Sequence, residues 1–468
     1  MKNQTEKKGK ALSTKKAIGF GIGQFSDAIA LQMFTIYIFT FYYAVVGLNV
    51  NLITIGFIIW SLWNAFNDPL LGALSDRTKT RWGRRTPYII GSIGPLCIII
   101  VLLYTPPTNM VVMSFIYFII IMMLFDSFYT MYDLNYCALF PEMFQNLEDR
   151  AKASAFKQIF TVIGLIFAFL VPTLIIPDLT NKKYITHYMY AGIVMSIIIF
   201  IGAIMMIKFG IRERVEFSED YKTAPPLLTS LKFSMKNKSF RIFIIMNLTY
   251  WYVVGMLPII VPLYGKFVLG IGEGEAYLLG LLLGIAFISA AGCMSLWRFI
   301  AVRVGMKKGV MISMVTFIVT LIPFMFISDI STAFLAFLFV GLGLSGAFYF
   351  GDILLAAIID DDELNIGTRR DGGYYGINAL ITKLSTIIVI ITINIVFNTV
   401  GWAVFDPKGA DEQTIFGLRS LIVIFPAIAL GIGLLVISRF PITKERYEQI
   451  KIDIEKLHTE KKERQAKL

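Results

Sequence analysis

Long apolar runs constrain this chain more than anything else in it. A helix that crosses a bilayer needs about 20 mostly apolar residues. The sequence supplies twelve such runs, at roughly 17–46, 52–75, 87–105, 110–139, 153–177, 188–209, 241–268, 276–302, 308–327, 333–359, 373–399 and 415–437. Overall, 56% of residues are hydrophobic and only 16% are charged, against about a quarter charged in ordinary soluble domains. The expected fold class is an all-α membrane protein with twelve transmembrane helices. The first run is too long for a cleaved secretory signal, so it reads as a retained span.

Charge lies between the runs. Arg77, Lys79, Arg81, Arg84 and Arg85 follow the second, Arg150 and Lys152 the fourth, and Arg212 to Lys238 the sixth. Arg303, Lys307 and Lys308 follow the eighth, and Arg369 and Arg370 the tenth. The alternate loops are short and nearly free of Lys and Arg. Basic loops stay on the cytoplasmic side, which places both termini in the cytoplasm and the protein in the cell membrane. The net charge of +11 is therefore a topology signal and implies no nucleic-acid partner. Cys97, Cys137 and Cys293 lie inside apolar runs without paired spacing, and His187 and His458 stand far apart. No disulfide framework, zinc site or cofactor is expected.

The chain divides into a tail (1–16), a six-helix half (17–209), a cytoplasmic linker (210–240) containing Pro225-Pro226, a second six-helix half (241–437) and a Lys/Glu-rich tail (438–468). The halves repeat weakly. Tyr43 to Gly47 and Trp82 to Arg85 in the first correspond to Tyr264 to Val268 and Val304 to Lys308 in the second. Parallel repeats of six spans point to the major facilitator fold, two pseudo-symmetric halves with the solute between them.

Ionisable groups inside spans are costly, about 2.5–3.5 kcal/mol each on insertion scales, and mark function by default. They are Asp27, Asp68, Asp126, Asp133, Asp352 and Lys383. Asn64 and Asp68 share one helical face. Asp126, Thr130 and Asp133 form a polar stripe at i, i+4 and i+7. Such oxygens suit a hard cation or a proton, and carboxylates beside Tyr132, Tyr136, Phe348 and Tyr349 suit a sugar. For each acid the alternative is a structural ion pair or a helix-end cap. Asp76 and Arg77 through Arg84 and Arg85 read as a cytoplasmic gate, and Arg369 and Arg370 as the balance for Asp360 to Glu363. That acidic run also admits a magnesium–diphosphate site of an intramembrane prenyltransferase, but no second acidic cluster faces it, since Gly72 lies one turn past Asp68.

Three stretches resemble the glycoside–pentoside–hexuronide:cation symporter family over nearly the whole chain. They are Trp63-Asn64-Ala65-Phe66-Asn67-Asp68-Pro69 running on to Arg81-Trp82-Gly83-Arg84-Arg85, Lys236 to Phe240, and Asp360 to Lys383 with its Gly367-Thr368-Arg369-Arg370-Asp371-Gly372 core. The resemblance implies a monomeric secondary transporter that uses a sodium, lithium or proton gradient to take up a sugar-like solute. It implies a cation site at Asp68, Asn67 and Thr130, with Asn64 where the family carries a first acid. Asp126, one turn before Thr130, is our candidate for the displaced carboxylate. It implies a solute site at Asp27 and Asp133, with Lys157 or Gln158 near the family's Arg, Phe348 or Tyr349 as the aromatic of the tenth span, and Lys383. Cys137 stands where the family stacks an aromatic on the sugar ring, which leaves Tyr132 or Tyr136 for that role. Relatives on this scaffold carry lysolipids, so an amphiphile is the alternative cargo.

Overall fold

The computed structural model describes residues 14–78, 80–144, 147–211, 234–366, 371–408 and 410–467. Among them are twelve apolar helices: α1 (Thr14–Val45), α2 (Val50–Arg77), α3 (Thr86–Leu102), α4 (Val111–Met143), α5 (Leu147–Ile175), α6 (Ile185–Phe209), α7 (Lys238–Phe267), α8 (Tyr277–Val304), α9 (Met306–Leu321), α10 (Ile330–Ile366), α11 (Asp371–Thr399) and α12 (Glu412–Ile437). Eleven are long and apolar enough to cross a membrane, and α3 is a shorter apolar helix of 17 residues. The polar tail forms α13 (Lys444–Lys467). Each expected run thus became a helix, with ends displaced by a few residues. Hydropathy marks the membrane-buried stretch, whereas the helix continues until a capping group or glycine stops it.

Local chemistry sets several of those ends. The Asn237 side chain accepts from the backbone N–H of Ser239 and Phe240 at 2.9 and 3.2 Å and starts α7. Asp411 starts α12 by accepting from Thr414 N–H at 2.8 Å. These caps satisfy donors that a first helical turn leaves open. Gly83 and Gly305 turn the chain between α2 and α3 and between α8 and α9 with φ of 102° and 84°. Side chains are strained at such angles, so the repeat noticed in the sequence is a repeat of turn geometry.

The described residues within 1–41, 62–177 and 181–223 form one compact unit, and those within 42–61, 178–180 and 224–468 a second. Polar contacts tie together the segments of the second unit. The Tyr43 hydroxyl donates to the Trp402 carbonyl, Val50 N–H donates to the Ala403 carbonyl at 2.9 Å, and Asp178 pairs with Lys266. Asn51 accepts from the side-chain amides of Asn394 and Asn398 at 2.7 and 3.0 Å.

Small residues bring the helices of each unit together. In the first, a Cβ on Gly164 would lie 2.9 Å from the Phe25 carbonyl, and one on Gly202 would strike Ser26 Oγ. In the second, a Cβ on Gly341 would meet the Ala286 carbonyl at 2.6 Å, and Trp297 donates to Ser345 at 2.8 Å. Close backbone approach substitutes for the hydrophobic driving force that is missing between helices in lipid. Large apolar side chains such as Phe66 and Leu435 stay exposed, as a hydrocarbon solvent permits.

Candidate functional site

The first unit gathers two polar clusters. One lies between α2 and α4. Asn64, Asn67 and Asp68 fall at i, i+3 and i+4 and share a face of α2; Asp126 and Thr130 share a face of α4. Asn64 and Asn67 both donate to the Asp126 carboxylate, one amide to each oxygen, the second at 3.1 Å. Thr130 donates to Asp68 at 2.9 Å. Asn64, Asn67, Asp126 and Thr130 are buried and Asp68 is half-buried. Trp63 donates to Ser127 at 3.1 Å and holds the two helices in this register. Two carboxylates, two amide groups and a hydroxyl converge. Oxygen-rich sets of this kind bind hard cations, and a lone proton needs only one of the carboxylates.

The other cluster joins α1, α4 and α5. Gln24 donates to Asp27 Oδ2 at 2.7 Å, and Asp27 is 5% exposed. Beside Asp27 lie Tyr129, Asp133 and Lys157. The Cys137 thiol donates to Asp133 at 3.2 Å and sits 3.7 Å from the Lys157 ammonium. That ammonium stands 5.2 Å above the Tyr136 ring and 5.9 Å from that of Phe140. Among the described residues, Asp27 Oδ1 and Gln24 Oε1 are buried acceptors without a hydrogen-bond partner. Burying an acceptor unmet costs about 1–3 kcal/mol.

The expected residues fall into place unevenly. Asp27, Asp133 and Lys157 lie near enough to act on one another electrostatically. Tyr132 and Tyr136 are buried, and their hydroxyls donate to the Gly23 and Phe20 carbonyls at 3.0 and 2.8 Å. Their polar ends serve α1–α4 packing, and Tyr136 offers Lys157 only its ring face. The tyrosine beside Asp27 is Tyr129, which sequence reasoning passed over. Its spacing was legible, three residues after Asp126 and four before Asp133. Tyr349 on α10 and Lys383 on α11 are half-buried in the second unit, where Asp352 is exposed. Tyr349 packs edge-on against Phe350 at 5.1 Å.

Of the expected gate, Arg77 is exposed, Arg84 is 7% exposed and Arg85 is half-buried at the start of α3. The Asp76 side chain, Arg369 and Arg370 lie outside the described residues. Asp361 pairs with Arg446 of α13 at 2.7 Å, a partner the sequence reading did not name. Among the described residues, no group of three or more His, Cys, Asp or Glu side chains is arranged to hold a metal ion.

Twelve helices with buried carboxylates on their polar faces define a secondary transporter of the major facilitator fold. The crystal structure of the nucleoside transporter NupG superposes over 92% of this chain and 98% of its own with a TM-score of 0.65 at 14% identity. Residues 19–444 match the family described as MFS/sugar transport protein, and the chain belongs to that family. Its relatives are transporters rather than enzymes. An uncharacterized symporter of Bacillus subtilis, YjmB, is 24% identical and covers 96% of both chains. The isoprimeverose transporter of Lactiplantibacillus pentosus is 23% identical over 50% of this chain and 48% of its own. The sodium-dependent lysophosphatidylcholine symporter 1 of Mus musculus is 23% identical over 85% and 80%.

Proposed function

We propose that the protein couples a sodium or proton gradient to the uptake of a glycoside or related sugar across the cell membrane, by alternating access of two six-helix halves with both termini cytoplasmic. The observation that carries this reading is the pair of unmet buried acceptors, Asp27 Oδ1 and Gln24 Oε1, beside Asp133, Tyr129 and Lys157. A polyol brings hydroxyl donors to such acceptors. A lysolipid would bring a headgroup poor in donors and a chain that needs apolar walls. The isoprimeverose transporter among the relatives supports the sugar, and the lysophosphatidylcholine symporter supports the runner-up.

The cation site of this reading is Asn64, Asn67, Asp68, Asp126 and Thr130. Asp126 supplies from α4 the carboxylate that α2 lacks at Asn64, and the two amides that hold it support that role. Cation and solute then stabilise the same conformation, so each raises affinity for the other by the same factor. Asp76, Arg77, Arg84, Arg85, Arg369 and Arg370 act in this scheme as the cytoplasmic gate, while Tyr349 and Lys383 are further contacts for the solute.

Uptake of labelled glycosides and lysolipids into proteoliposomes, with sodium and pH gradients imposed separately, tests the whole reading. A glycoside accumulated under one gradient supports it; lysolipid accumulation alone replaces it with the runner-up. Asp126→Asn removes cation stimulation in this account, and the exchange Asn64→Asp with Asp126→Asn restores part of it. Unchanged stimulation in Asp126→Asn takes that carboxylate out of the cation site.

A further inference from the structure

On the first unit, α1, α5 and α6 enclose an apolar groove of about 330 Å³. Its floor exists because Gly202 lies against Ser26 and Gly164 against the backbone of Phe25. Phe25, Phe160 and Phe167 form its walls, and Ile201 and Met205 its rim. Phe167 and Ile201 are 39% and 54% exposed. On α1, Ile22 and Phe25 face the groove, whereas Gln24 and Asp27 fall on the opposite side of the helix. The groove is therefore separate from the polar clusters and opens toward the hydrocarbon of the bilayer.

Each of the three helices also carries a lysine on its groove face, toward the same end. Lys15 precedes Ile22 by two helical turns, Lys152 precedes Phe160 by just over two, and Lys208 follows Ile201 by two. The Lys152 ammonium donates to the Thr14 hydroxyl at 2.8 Å, and Gly19 abuts the backbone of Phe209 and Gly210. The three helix ends are thus held together, and the lysines lie about 5–12 Å along the helix axes beyond the nearest lining residues, Ile22, Phe160 and Met205. Cationic groups at the interface with an apolar slot one to two turns deeper repeat the layout of a phospholipid, an anionic headgroup followed by its chain. Basic pockets between membrane helices recognise anionic headgroups in this way.

We infer that the groove and Lys15, Lys152 and Lys208 bind one anionic phospholipid from the leaflet at that end, with one acyl chain in the groove. The volume, at the low end of the range of about 300–1,000 Å³ for small-molecule pockets, suits the greater part of a single acyl chain. Native mass spectrometry and thermal unfolding of the purified full-length protein test this with phosphatidylglycerol and phosphatidylcholine of identical chains. One phosphatidylglycerol is retained and raises the melting temperature by several degrees relative to phosphatidylcholine. The double variant Lys15→Gln, Lys208→Gln weakens the preference for phosphatidylglycerol about thirtyfold. Ile201→Trp, a change at an exposed position that fills the groove, removes retention of either lipid. Equal retention of the two lipids by the unaltered protein overturns the inference, as does unchanged phosphatidylglycerol retention in both variants. A shift produced by glycerol phosphate alone, or a dimer that Ile201→Trp dissolves, would assign the surface to a soluble anion or a second copy and overturn it equally.

Discussion

The two sets of six helices share an architecture and differ in what they bury. Helices α1, α2, α4 and α5 carry Asp27, Asp68, Asp126, Asp133 and Lys157 on polar faces within the bundle. Among the described residues of α7 to α12, the membrane-level polar contacts are mainly neutral. Asn247 donates to Asn378 at 2.7 Å, Trp297 to Ser345 at 2.8 Å, and Tyr250 shares a hydrogen bond with Ser313. Neutral pairs lock helix positions without stored charge. Carboxylates in hydrocarbon demand a counter-charge, a proton or a ligand. The described polar contacts within the two sets thus differ in character, charged groups being concentrated on α1, α2, α4 and α5.

Substitutions can break this contrast. The largest effect is expected from Asp68→Asn, which keeps the shape of the cation cluster but removes a charge. Cation-driven accumulation should fall about a hundredfold, the loss of a charged interaction of about 1.5–3 kcal/mol. Energised and de-energised vesicles compared in parallel give the readout. Next comes Asp27→Asn, expected to raise the half-saturating solute concentration about thirtyfold while leaving sodium- or proton-dependent stabilisation of the empty carrier in place. Loss of that stabilisation would merge the two clusters into one site.

Smaller effects sharpen the structural side. A side chain at Gly19 would enter the backbone of Phe209 and Gly210, which cannot rotate away. Gly19→Val should destabilise the first unit by about 1–3 kcal/mol, seen as a lower melting temperature in detergent. The mildest change is expected from Asn247→Leu paired with Asn378→Leu, which removes both partners of a half-buried amide pair. Transport should fall by no more than about threefold, since replacing both partners together is close to neutral. A loss as large as that of Asp68→Asn would show that the second half takes part in the chemistry.

The order of helices was legible because hydrocarbon imposes a length and a polarity that no other environment does. Spacing placed Asn64 with Asp68 on one face of α2 and Asp126 with Thr130 on one face of α4, while the pairing of Asp68 with Thr130 came from the family resemblance. Partners on different helices were not legible. Nothing in the sequence tells that the Tyr132 and Tyr136 hydroxyls reach the backbone of α1, because that depends on helix rotation. Tyr129 was hidden for the same reason, being one of three tyrosines within eight residues. Arg446 was likewise out of reach as the partner of Asp361, since a polar terminal helix carries no signal of where it docks.

The brevity of α3 has a consequence for the membrane itself. Its 17 residues span about 25 Å, less than the hydrocarbon layer of about 30 Å, while the 33 residues of α4 beside it span about 50 Å. Such a mismatch is met by local thinning of the bilayer around the short helix and by tilt or projection of the long one. Each ångström of mismatch costs a fraction of a kcal/mol. Lengthening the host lipids by a few carbons is therefore expected to slow transport even with every polar contact intact, read as uptake rate in vesicles of graded thickness.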